Sequence, residues 1–227
     1  MKRDRDNIQH VRIRFDDRIT GSGGDDLLNG RRGRDFLVGR RGDDILLGGR
    51  EDDILNGSQD GDLLASGFGN DLLRGGRGRD VLFGQLGNDT LLGGNSIDFL
   101  SGGKGDDLLN GGGSCDLFSL RQRSGTDTIQ DFEPGTDLIF LAGRLAFDQL
   151  DIRQQGRNTL ITIASSNRPL AILENVEANT IGSDNFLSQR SDKLLIDLAD
   201  REQGAGILQA IQAGTTGLKD LLQTWRM

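Results

Sequence analysis

The sequence predicts an all-β fold: a parallel β-roll with two nonapeptides per coil, a C-terminal β cap and a short helical tail. Three observations predict it. An Asp recurs every nine residues from Asp26 to Asp116, eleven times without a slip of register. A Leu or Phe stands two positions after each Asp, from Leu28 to Phe118. Between one apolar residue and the next Asp lies a glycine-rich loop, most complete in Gly75-Gly76-Arg77-Gly78-Arg79-Asp80 and Gly102-Gly103-Lys104-Gly105-Asp106-Asp107. So strict a period marks a repeat architecture in which each unit buries its apolar residue by stacking on its neighbours.

The unit reads G-G-x-G-x-D-x-U-x, with U a large apolar residue. Its last three residues predict a short strand, with position eight facing inward and positions seven and nine outward. The six before them predict a sharp corner, where glycine supplies positive φ or close approach. Two units make one coil, so carboxylates eighteen residues apart stack on one edge at about 4.8 Å, the spacing of paired strands. The candidate ligands are Asp26, Asp35, Asp44, Asp53, Asp62, Asp71, Asp80, Asp89, Asp98, Asp107 and Asp116. They form the pairs 26/44, 44/62, 62/80, 80/98 and 98/116 on one edge and 35/53, 53/71, 71/89 and 89/107 on the other, nine candidate sites. Carboxylates this close repel unless a cation lies between them. Oxygen-only ligands, partly main chain, favour Ca²⁺ over Mg²⁺ or Zn²⁺. One Cys (Cys115) and one His (His10) leave no zinc cluster.

The array resembles the RTX (repeats-in-toxin) proteins, hemolysin-type calcium-binding nonapeptide repeats, densely over 21–119. Asp116-Leu117-Phe118-Ser119-Leu120, then Ser124 to Phe132 and Gly135-Thr136-Asp137-Leu138-Ile139, are similar to the segment that ends such arrays. The resemblance implies a calcium-loaded parallel β-roll, an exported protein, and a C-terminus read by a type I secretion exporter. Glu51, Asp60, Ser96 and Ser114 depart from glycine at the fourth position. Glu fits left-handed backbone poorly, so the sites sharing Asp53 are expected to be weakest. Those at 71/89 and 89/107 are expected to be best.

The remaining elements follow in order. Residues 1–20 are expected to form a strand over 9–15, with Val11, Ile13 and Phe15 alternating with polar residues, and a degenerate first coil at 12–20 that places Asp17 and Ile19 in register. The eleven-repeat roll occupies 21–119. From 120 to 189 the period is lost, and Asp137–Leu141, Thr159–Ala164 and Pro169–Leu173 read as strands separated by turns such as Pro134-Gly135. This region is expected to cap the roll and cover a sheet edge that would template aggregation. In the tail, 190–227, Ile207, Leu208 and Ile211, then Leu218, Leu221, Leu222 and Trp225, recur at helical spacing. It reads as a helix packed on the cap, an export signal, or both.

Composition narrows the function. The net charge of −8 argues against nucleic acid. Met1 to Ile8 lacks the apolar core of a signal peptide, and no stretch has the length of a transmembrane segment. No H-E-x-x-H or G-x-S-x-G motif is present, so no enzyme is expected. The sequence therefore reads as a secreted, extracellular calcium-binding protein that folds on calcium, with up to about nine ions by pair count. Two other classes stand beside it. Arg31, Arg32, Arg34, Arg40, Arg41 and Arg50 cluster in consecutive loops, with Arg77 and Arg79 further on. Arginine pairs well with carboxylates. These loops would serve a calcium-dependent carbohydrate-binding module resembling alginate epimerase R-modules, gripping an acidic polysaccharide or a cell surface. The third class is an adhesive surface subunit, with self-association. Position seven is apolar in ten of eleven units, and its first face, Leu27 to Leu117, is expected to be covered by 190–227 or by a second molecule.

Overall fold

The computed structural model describes residues 7–9 and 16–188. The helical tail, 190–227, and the expected strand from His10 to Phe15 lie outside the described residues. Two strands precede the repeats, β1 (Asn7–Gln9) and β2 (Arg18–Thr20). The repeats give β3 (Asp26–Asn29), β4 (Phe36–Arg40), β5 (Ile45–Arg50), β6 (Ile54–Gln59) and β7 (Leu63–Phe68). They continue as β8 (Leu72–Arg77), β9 (Val81–Leu86), β10 (Thr90–Asn95), β11 (Phe99–Lys104), β12 (Leu108–Gly113) and β13 (Leu117–Arg121). Beyond them come β14 (Asp127–Ile129), β15 (Leu138–Ala142), β16 (Leu150–Gln155), β17 (Asn158–Ile163), β18 (Arg168–Leu173) and β19 (Phe186–Ser188).

The chain alternates between two sheets. One runs β1-β3-β5-β7-β9-β11-β13-β15-β19 and the other β16-β17-β18-β14-β12-β10-β8-β6-β4-β2. Within the repeats every neighbour is parallel and eighteen residues away, as in Leu46↔Leu64, Leu64↔Leu82 and Leu73↔Leu91. The fold is thus an all-β parallel roll of two nonapeptides per coil. Position eight faces inward without exception: Leu28 through Phe118 are fully buried and form one continuous core between the sheets.

Two details differ from the sequence reading. The strands are longer than three residues; most run six, through positions seven to nine and on into positions one to three of the next unit. Ladder bonds need only main-chain groups, so glycines pair as well as leucines, as Gly49↔Gly67 and Gly94↔Gly76 do. The corner is correspondingly shorter, and it uses two left-handed residues rather than one. Position two joins position four, with Arg31, Arg40, Ser58 and Gln85 at φ of 78°, 92°, 91° and 76°.

Past the last repeat the two sheets continue with a different period. β14 and β15 extend them in parallel, and β18, β17 and β16 then add an antiparallel meander to one. Three of these strands lie close to the expected ones; β14, β16 and β19 were not anticipated. The two sheets differ on their outer faces. Leu63, Val81, Phe99, Leu117 and Phe140 are buried on the nine-stranded sheet, at 1–4% exposure. On the other sheet Ile54 is 38% exposed at the same position of its repeat.

Candidate metal centre

Each repeat Asp closes the loop before its strand, and all eleven are buried although each carries a carboxyl group. What holds them is main chain. Oδ1 of each later Asp accepts the N–H of the Asp one coil earlier: Asp44 to Asp62 at 2.9 Å, Asp62 to Asp80 at 2.8 Å, Asp80 to Asp98 at 2.8 Å and Asp98 to Asp116 at 2.9 Å. The other edge repeats this through Asp35, Asp53, Asp71, Asp89 and Asp107, each bond 2.7–2.9 Å. The carboxylates therefore stack as a zipper in which one oxygen is spent on the fold.

In the nine from Asp35 to Asp107 the second oxygen has no protein partner. Oδ2 is buried without a hydrogen bond in Asp35, Asp44, Asp53, Asp62, Asp71, Asp80, Asp89, Asp98 and Asp107, and Oδ1 is so in Asp26. In the metal-free chain this is costly, because a buried ionised oxygen needs a partner. Burial accordingly pushes Asp62 and Asp98 up to about 9 and Asp53 to about 8, against the opposing effect of the main-chain bond each receives. Asp44, Asp80, Asp89 and Asp116 are pushed up to about 7 for the same reason.

The unpartnered oxygen faces position one of its own loop, a glycine except before Asp71, where Ser66 stands and its hydroxyl donates to the Gly84 carbonyl at 2.9 Å. A Cβ placed on Gly48, Gly84 or Gly93 would strike both that Oδ2 and the main-chain carbonyl of the first residue one coil on, Ser66, Gly102 or Gly111. Glycine at position one thus keeps open a cradle walled by a carboxylate and a carbonyl. Among the described residues no three acidic, His or Cys side chains converge on one point, so any cation there draws on main-chain oxygen as well. Orphaned, buried, all-oxygen donors suit a hard cation of flexible geometry, the chemistry of Ca²⁺.

The structure places further residues in the same role. Asp127 and Asp137 continue the two stacks: Oδ1 of Asp127 accepts from Asp107 N–H at 3.4 Å and Oδ1 of Asp137 from Asp116 N–H at 2.9 Å. Both are buried, and burial raises Asp127 to about 8. Spacings of twenty and twenty-one residues hid them from a strict nine-residue count, although Gly-Thr-Asp occurs at both. At the opposite end Asp17 donates its N–H to Oδ1 of Asp35 at 2.7 Å, and Ile19 joins the core.

A second, exposed ladder runs the other way one residue earlier in the loop. Asn70 N–H donates to Asp52, Asn88 to Asn70, Asp106 to Asn88 and Thr126 to Asp106, at 2.8–3.0 Å. On the opposite edge it ends where Gly61 donates to Asp43, since Gly61 has no side chain to continue it. The fourth-position acids also find partners. Glu51 adopts φ of 70°, but its Oε2 accepts from Gly33 N–H at 2.8 Å, and Asp60 Oδ2 accepts from Gly42 N–H at 3.1 Å. Asp53 then has the same contacts as Asp89, so the geometry does not separate the sites expected to be weakest from those expected to be best. The loop arginines are exposed apart from Arg79, which is half-buried. Arg34 lies 3.4 Å from Asp52, and the guanidinium of Arg50 stands 5.9 Å from the ring centroid of Phe68, itself 56% exposed.

Fold and site together define a parallel β-roll with stacked, buried carboxylates along both edges. Its residues 14–118 are an RTX repeat array. The family model "RTX calcium-binding nonapeptide repeat (4 copies)" matches 14–37, 30–64, 56–91, 65–100 and 92–118. No curated protein matches the chain. Among solved structures, the extracellular lipase LipA from Serratia marcescens is similar at 22% identity and a TM-score of 0.37, over 74% of this chain. This chain spans 39% of that lipase. The AlgE6R3 subunit from the Azotobacter vinelandii mannuronan C5-epimerase is similar at 26% identity and a TM-score of 0.32, covering 60% of this chain and 81% of the subunit. The AlgE6R2 subunit stands at 22% and 0.30, covering 75% and 91%. No helix among the described residues is long and apolar enough to cross a membrane.

Proposed function

We propose that this chain is a secreted calcium-binding β-roll protein that folds on meeting extracellular calcium, without catalytic chemistry in the described region. The observation that carries it is the column of buried carboxylate oxygens with no protein partner. When bound, Ca²⁺ supplies the positive charge that lets those oxygens stay ionised inside the fold. The residues that hold it are Asp26, Asp35, Asp44, Asp53, Asp62, Asp71, Asp80, Asp89, Asp98, Asp107 and Asp116, with main-chain carbonyls of the glycine loops. Asp127 and Asp137 extend the two stacks by the pairs 107/127 and 116/137. Without the ion, a glycine-rich chain with self-repelling loops has little reason to order, and calcium near the 0.1–1 mM range of extracellular modules tips the balance. Residues 120–189 cap the roll in this reading, ending its sheets in an antiparallel meander and the short β19. A calcium titration followed by circular dichroism tests the proposal. It predicts a β spectrum that appears with calcium, disappears in excess chelator and is poorly restored by magnesium. A β spectrum and sharp melting unchanged by chelator would overturn it.

One observation favours a second reading, a calcium-dependent module for acidic polysaccharide. On one edge Arg50, Phe68, Leu86 and Lys104 stand in register on successive coils, so one cation lies one step of about 4.8 Å from an exposed ring and a second lies two steps away on the other side of it. Among the described residues no carboxylate pairs with Arg50. A glycan array in calcium, with Arg50→Ala and Phe68→Ala, separates the readings: uronate binding lost in both variants supports the module, and an array without signal removes it.

A further inference from the structure

We propose that the C-terminal segment 190–227 docks on the outer face of the nine-stranded sheet, so that folding on calcium withdraws the tail from solvent. The coupling to calcium rests on the function proposed above; the docking does not. Outward residues of a solvent-facing sheet keep part of their surface exposed, as Ile54 does at 38% on the other sheet. Leu63, Val81, Phe99, Leu117 and Phe140 sit at 1–4%. Every described member of their cluster, Phe83 and Leu187 included, belongs to the strands and loops of that same sheet. Side-by-side neighbours on a sheet do not roof one another, so the roof comes from elsewhere.

The position of the patch selects the occupant. It begins at β7 and runs to β15, next to β19, where the described chain ends at Ser188. Residues 1–6 and 10–15 flank β1, three strand steps or about 14 Å from β7 but seven steps or about 34 Å from β15. Six extended residues reach about 20 Å, so they can cover the near edge of the patch and not its length. By contrast, 39 residues follow Ser188 and start beside the patch. From β7 to β19 is about 24 Å, the length of about 16 helical residues, and the segment carries two apolar stripes at helical spacing, through Ile211 and through Leu222. Exposed, such a face would be a liability for association; covered from within the chain, it adds a second apolar layer to the roll.

The full chain supplies its own probe, because Trp225 is its one Trp and it has no Tyr. Adding calcium should shift Trp225 emission to shorter wavelength, cut its quenching by acrylamide severalfold and slow trypsin cleavage after Lys193, Arg201 and Lys219, at concentrations where sizing shows a monomer. The double variant Leu63→Lys, Val81→Lys should lose these effects while keeping the calcium-induced β spectrum, and Ile54→Lys should keep everything. Should the lysines prevent folding, Leu63→Ala with Val81→Ala is expected to weaken protection in proportion to the apolar surface removed. Trp225 as quenchable in the folded roll as in chelator, with the tail equally cleavable, overturns the docking. Protection that appears only in a dimer assigns the face to a second copy and also overturns it. A roll that shows no response to calcium, with Trp225 protected throughout, keeps the docking but removes its coupling to calcium.

Discussion

The main-chain N–H of Asp80 donates to Oδ1 of Asp98 at 2.8 Å, so a carboxylate expected only to face an ion also ties one coil to the next. Each repeat Asp from Asp35 to Asp107 thus has two separable duties, one oxygen for the fold and one for the cation. Substitutions that spare one oxygen tell the duties apart.

Asp98→Asn is the sharpest such change. The amide keeps an oxygen to accept from Asp80 N–H and removes the charge that burial disfavours. We expect the metal-free variant to be no less ordered than the native chain, while isothermal titration shows fewer calcium sites or a higher midpoint. An unchanged titration would mean that Asp98 serves the zipper alone.

Asp89→Ala and Asp53→Ala should lose calcium binding to a similar degree, since each carboxylate accepts the N–H of the Asp one coil earlier, each main-chain N–H donates to the Asp one coil later, and Glu51 bonds Gly33. A clearly milder loss for Asp53→Ala, measured by titration, would restore the ranking read from loop composition.

The pH dependence has a definite sign. Burial raises Asp62, Asp98 and Asp53 to about 9, 9 and 8 from the ordinary carboxylate value of 3.8. Between those limits the folded metal-free roll holds protons that the unfolded chain has released. Its stability is therefore fullest below about 3.8 and is lost as pH rises through 7 to 9. In chelator, β structure should be greater at pH 5 than at pH 8. Calcium competes with those protons, so its midpoint should fall as pH rises from 6 to 9. A midpoint that is flat across this range, followed by circular dichroism, would contradict the burial of ionisable ligands.

Asp131 offers a control outside the calcium stacks. Its two oxygens accept from Gly111 and Gly112 N–H at 3.0 and 2.7 Å. Asp131→Ala should cost on the order of 1–3 kcal/mol through the two unpaired donors, read as a lower melting temperature in saturating calcium. The calcium stoichiometry should stay as it is.

Export, where a matching type I exporter is supplied, should require 190–227. Deleting the segment should abolish secretion and leave calcium binding intact; secretion of the shortened chain would leave the tail as packing alone.

The repeat by itself determined the parallel roll, its two-unit coil, the inward leucines from Leu28 to Leu109 and the eleven aspartates. A period of nine fixes which residues superpose on stacking, and superposition decides what is buried together. It did not reveal Asp127 and Asp137, because two inserted stretches broke the count while the sheets themselves continued without interruption. Nor did it show that Glu51, still at φ of 70°, offsets the cost of its left-handed backbone by bonding a loop one coil away, since that partner is eighteen residues distant and a main-chain group. Position seven reads almost alike on both faces, yet Leu63 and Val81 are buried and Ile54 is not. Local pattern sets which way a side chain points; only the tertiary structure decides what lies over it.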